Sequence, residues 1–99
     1  GAEAGAVRDA LQGGFADSTI LHQHGARMSR RDFVPGGLSK FQLKDLDNVL
    51  AEAAGAGLVL PVVQHVRDRF EHFVHHMDGG DQDHSGLFLE LLAQNGLTP

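Results

Sequence analysis

Histidine supplies the densest potential chemistry in this chain: His65, His72, His75 and His76 lie close together, and His72 and His76 are four residues apart. On a helix that spacing sets two imidazoles one turn apart, where they can share a divalent metal. The same residues also fit a polar helix face, because they alternate with Val66, Phe73 and Met77, and no glutamate completes the HExxH pattern of metalloproteases. The patterning favours the polar face, and no metal is expected. Lys40, Lys44, Asp45 and Asp47 form a charge run, which by residue type alone reads as a solvent face with weak local pairs. Arg27, Arg30 and Arg31 precede a loop at Pro35; they either meet an anionic ligand or satisfy the carbonyl end of a helix, and capping is favoured. Ser85 follows His84, but neighbours on a helix point in different directions and no glycine-flanked elbow surrounds the serine. Ser85 therefore reads as a helix-start residue rather than a nucleophile. Gly36-Gly37 is not a dinucleotide fingerprint, and no glycine-rich strand-to-helix loop occurs elsewhere.

The elements that must position these side chains are helices. Apolar residues recur at helical spacing nearly throughout, and β-branched runs bounded by hairpin turn signals are missing. The first helix spans about 2–12, with Ala6, Val7, Ala10 and Leu11 on one face, no obvious starting signal, and a left-handed glycine cap at Gly13-Gly14. Ser18 caps a second helix over about 19–30, with Ile20, Leu21 and Met28 inward. Pro35 and its two glycines make the main loop. Ser39 and Gln42 have the spacing of a capping box for a third helix, whose inward face is Phe41, Leu43, Leu46, Val49, Leu50 and Ala53. Pro61 suits a first helical position, and the fourth helix turns Val62, Val66, Phe70, Phe73 and Met77 inward. Asp83 caps a last helix over about 85–94, with Leu87, Phe88, Leu91 and Leu92 as its apolar stripe. The fold class expected is all-α, a compact bundle of about five helices in one domain over 1–99.

Composition narrows the partners. Thirteen acidic against eight basic residues give a net charge of −5, which argues against a binder of nucleic-acid phosphates. Cysteine is absent, which excludes disulfides and thiolate metal sites and fits a reducing, cytoplasmic setting. No apolar run approaches the roughly 18 residues that cross a bilayer, so no membrane partner is expected.

Arg31-Asp32-Phe33-Val34-Pro35-Gly36-Gly37, followed by Gln42-Leu43-Lys44-Asp45-Leu46, resembles the Pro-Gly and Lys-Asp-Leu region of the 3-hydroxyacid dehydrogenase family. Gly14-Phe15-Ala16-Asp17-Ser18 upstream supports it, as does Gly80-Asp81-Gln82-Asp83-His84-Ser85, similar to that family's Gly-x-x-Asp-x-Ser turn. The family includes 3-hydroxyisobutyrate dehydrogenases, tartronate-semialdehyde reductases and threonate dehydrogenases. The resemblance implies a carboxy-terminal helical domain, like that of 6-phosphogluconate dehydrogenase, which closes over NAD or NADP held mainly by an amino-terminal Rossmann domain. It implies that Lys44 contacts the cofactor and that Asp45 lies near the same cleft. It further implies a small hydroxy-acid substrate, and an oligomer, with a homodimer the simplest form. The family's catalytic lysine belongs to a helix that would precede this chain, so the segment is expected to be inactive alone. Gly37 stands where many members carry an aromatic residue, and that departure favours the sugar-acid branch. The alternative is a free-standing helical interaction module, in which Lys44 and Asp45 are only surface charges.

Overall fold

Helices form where the apolar spacing asks for them; the first and third end at glycine-bearing turns, whereas the second ends on Arg31 in the left-handed conformation. The computed structural model describes all 99 residues. It contains α1 (Ala4–Leu11), α2 (Thr19–Arg30), α3 (Ser39–Gly55), α4 (Pro61–His76) and α5 (Leu87–Gln94), with a 3-10 turn, His84–Gly86, leading into α5. The all-α class is as expected. No helix is long and apolar enough to cross a membrane. The chain forms two compact units, Gly1–Phe33 and Val34–Pro99.

In the first unit α1 packs on α2. Their starts differ in kind. Ser18 Oγ accepts from Leu21 N at 2.9 Å, the cap that the sequence predicts. At α1 the starting signal is Glu3, whose carboxylate accepts from Gly5 N and Ala6 N, both at 2.9 Å. Those two amides hold the Glu3 carboxyl below its usual range. Gly25 lies where α1 crosses α2, and a Cβ there would stand 3.0 Å from Arg8 Cδ. No side chain in this unit is buried, and the predicted inward face of α1 is exposed, as is Ile20 of α2. Two short helices alone have too little surface to enclose a core.

In the second unit α4 packs against both α3 and α5. Leu43, Ala53, Phe70, Phe73 and Leu92 form the buried apolar core. Phe73 is its centre, and the turn after α4 is shaped around that ring. A Cβ at Gly79 would fall inside the ring's van der Waals envelope, and one at Gly86 would stand 3.0 Å from Phe73 Cζ. Helical periodicity predicts the inward rows of α3, α4 and α5 only in part. Val62, at 76% exposure, and Phe41, at 56%, face solvent, as do Val49 and Leu91.

The start of α3 departs from the expected capping box. Leu38, not Ser39, is the N-cap residue, and its side chain caps nothing. Ser39 lies one position inside, fully buried, with Oγ donating to Asp83 O at 3.1 Å. The free amides of this helix end go to distant carbonyls instead: Ser39 N to Gln82 O at 2.9 Å and Lys40 N to Gly80 O at 3.0 Å.

Candidate functional site

The two segments that carry the family-like motifs lie against each other in the second unit. Residues 34–37 and 79–86 are joined by an isolated antiparallel bridge between Leu38 and Asp83, and His84 N donates to Gly37 O at 2.9 Å. Asp83 is the knot. Its Oδ1 accepts from Gly36 N at 2.9 Å and Gly37 N at 3.1 Å. Its Oδ2 accepts from Ser85 N at 3.0 Å and from Ser85 Oγ. At 1% exposure this carboxylate is buried. Burial alone would raise its pKa, but the donations from Ser85 Oγ, Gly37 N, Ser85 N and Gly36 N outweigh that and hold it far below the usual carboxylate range. The sequence predicts Asp83 as a local cap, which it is. Its larger role, fastening the Pro35 loop that leads into α3 to the turn that leads into α5, has no local spacing to betray it.

Ser85 is committed by the same bonds. Its hydroxyl donates to Asp83 and the residue is buried, which agrees with a helix-start role. Arg31 adopts the left-handed conformation at the end of α2, and its guanidinium donates to Met28 O, so this member of the basic cluster caps carbonyls.

With its start fastened and Leu43 buried, α3 presents Lys40, Phe41, Lys44 and Asp45 on its exposed side. Lys44 stands about 7.5 Å along the axis from Ser39, five residues at 1.5 Å each. The second unit has four lysines and arginines, and three are paired. Lys40 Nζ meets Asp81 Oδ1 at 2.7 Å, Arg67 Nε meets Asp47 Oδ1 at 2.6 Å, and Arg69 Nη1 meets Glu90 Oε1 at 3.1 Å. Lys44 has no acidic partner, and Asp45 beside it has no basic one. Lys40 Nζ also lies 5.7 Å from the Phe41 ring centroid. The exposed side of α3 therefore offers one uncommitted ammonium, Lys44, and an exposed aromatic ring, Phe41, on the same helix. It contains no nucleophile and general-base pair.

The histidines divide. His65, His75 and His76 are exposed. His72 is half-buried, and its Nδ1 lies 3.2 Å from Glu90 Oε1. Glu90 is 2% exposed and also accepts from Gln94 Nε2 at 3.1 Å. Sequence reasoning missed Glu90. Its signal was a lone acid inside Leu87-Phe88-Leu89-Glu90-Leu91-Leu92, which has to find donors if that stripe is buried.

Residues 1–91 match the sequence model of a family described as the NAD-binding domain of NADP-dependent 3-hydroxyisobutyrate dehydrogenase. The chain is also 42% identical over 101 residues to 2-hydroxy-3-oxopropionate reductase of Escherichia coli (strain K12), covering 99% of this chain and 34% of that protein. It thus spans about a third of the length of this curated relative. On that extent of similarity, the chain belongs to the family described as the NAD-binding domain of NADP-dependent 3-hydroxyisobutyrate dehydrogenase.

Proposed function

We propose that this chain is the helical domain that closes over the nicotinamide cofactor in an NAD(P)-dependent 3-hydroxyacid dehydrogenase, with Lys44 making its cofactor contact and Asp45 lining the same cleft. The observation that carries the reading is the unpaired state of Lys44 on a helix whose start is fastened by Asp83. An ammonium with no internal carboxylate is available to a phosphate or carboxylate from outside, and the contact strengthens as closure removes water. A rigid helix suits that role, because the charge is placed before the ligand arrives.

In the complete enzyme the cofactor, held mainly by a Rossmann domain, would exchange hydride with the alcohol carbon of a small hydroxy acid. A substrate of the kind named for the reductase relative, 2-hydroxy-3-oxopropionate, fits the sugar-acid branch that Gly37 favours. The proton-handling lysine would come from a helix outside these 99 residues, and the domain alone would be inactive. Exposed apolar side chains on both units support a Rossmann partner and a homo-oligomer, since such surface is normally covered by association.

The test is Lys44→Ala in the full-length enzyme. A charge-assisted hydrogen bond contributes about 1.5–3 kcal/mol, so cofactor Kd should rise about 10- to 150-fold. The fold should be unaffected, because Lys44 touches nothing in the core. Unchanged cofactor affinity would move this chain to the interaction-module reading.

A further inference from the structure

We propose that His72 and His76 form a surface site for a divalent transition-metal ion of the class that prefers imidazole, such as zinc, nickel or copper. The two rings stack with centroids 5.5 Å apart and planes 23° apart, one helical turn from each other on α4. His72 is not free to choose its tautomer. Its Nδ1 lies 3.2 Å from Glu90 Oε1, and a carboxylate offers only acceptors, so in the neutral ring Nδ1 carries the hydrogen and Nε2 keeps its lone pair. Glu90 is held in turn by Arg69 Nη1 and Gln94 Nε2, both at 3.1 Å.

This is the carboxylate–histidine arrangement that orients and strengthens imidazole ligands in metal sites. Here the carboxylate is buried, so it acts through His72 and does not touch the ion. His76 is exposed, and binding would turn its ring out of the stack so that a ring nitrogen shares the ion with Nε2 of His72. Water would supply the remaining ligands, which makes the site an open one. The inference concerns α4 and α5 only and does not depend on the assignment of Lys44.

Titration of the 99-residue chain with zinc, nickel and copper ions, followed by calorimetry, tests this. One saturable site should be lost or weakened at least about tenfold in His72→Ala and in His76→Ala. His75→Ala, which removes the exposed neighbour that does not stack on His72, should leave it unchanged. Copper resonance spectra should show two ligating nitrogens in the parent and one in His76→Ala. Glu90→Gln should weaken binding without changing that count. Absence of a saturable site, the same affinity in His76→Ala as in the parent, or an equal loss in His75→Ala would overturn the proposal.

Discussion

Replacing Asp83 is the most informative single change in this fold. Its carboxylate receives three backbone amides, from Gly36, Gly37 and Ser85, and the Ser85 hydroxyl. Asp83→Ala strands Ser85 N and Oγ in a buried position and Gly37 N in a half-buried one, while Gly36 is exposed to water; each stranded buried donor costs about 1–3 kcal/mol. Water entering the vacated space recovers part of that, so the net loss should be about 3–5 kcal/mol. For a unit of this size, that lowers the melting temperature by about 12–40 °C. Asp83→Asn is milder. Its Oδ1 can still serve Gly36 and Gly37, but its amide group then faces Ser85 N, donor against donor, for about 1–3 kcal/mol.

The same residue predicts a pH dependence. The folded Asp83 carboxyl lies below its usual range, so in acid the unfolded chain takes up the proton first. The stabilisation is therefore complete above the unfolded value near pH 4 and lost progressively as pH falls below it. Urea denaturation followed by circular dichroism from about pH 2 to 7 should show this acid limb in the parent and a shallower one in Asp83→Asn. Glu3 and Asp17 are also lowered and remain in both proteins, so the difference between them isolates Asp83. An Asp83→Ala variant within about 1 kcal/mol of the parent, or an identical acid limb in Asp83→Asn, would refute the reasoning.

Two further outcomes follow from packing and charge. Gly79→Ala should destabilise the second unit by about 1–3 kcal/mol, because the added methyl meets the buried Phe73 ring; chemical denaturation with an unchanged slope would show it. Asp47→Ala should cost less than about 1 kcal/mol despite its 2.6 Å contact with Arg67, since both partners are partly solvated, and salt should erase the difference.

What could be read from the sequence was what depends on near neighbours. Ser18 before α2, Pro61 opening α4 and Gly13 after α1 each act within a few residues, and all three stand where the sequence puts them. The capping-box reading of Ser39 failed because its partner is 44 residues away, and the bond from Gly36 to Asp83 spans 47. No local spacing reports such distances. Periodicity likewise marks a stripe as apolar without saying how much of it a neighbour will cover, hence the solvent-facing Val62 and Phe41. The site divides on the same line. Exposure of Lys44 was legible from the charge run. Its lack of a partner was not, because it emerges only once Lys40 has found Asp81, and Asp47 has found Arg67, across the fold.

Fastening α3 through its own amides has a geometric consequence. Side-chain caps can be exchanged without altering the phase of a helix, but Ser39 N on Gln82 O and Lys40 N on Gly80 O fix which peptide comes first and hence the azimuth of every residue after it. A single residue inserted between Lys40 and Lys44 would swing the ammonium about 100° around the axis and advance it about 1.5 Å. The direction in which position 44 points is thus written in main-chain register, which point substitutions leave intact and a one-codon insertion destroys.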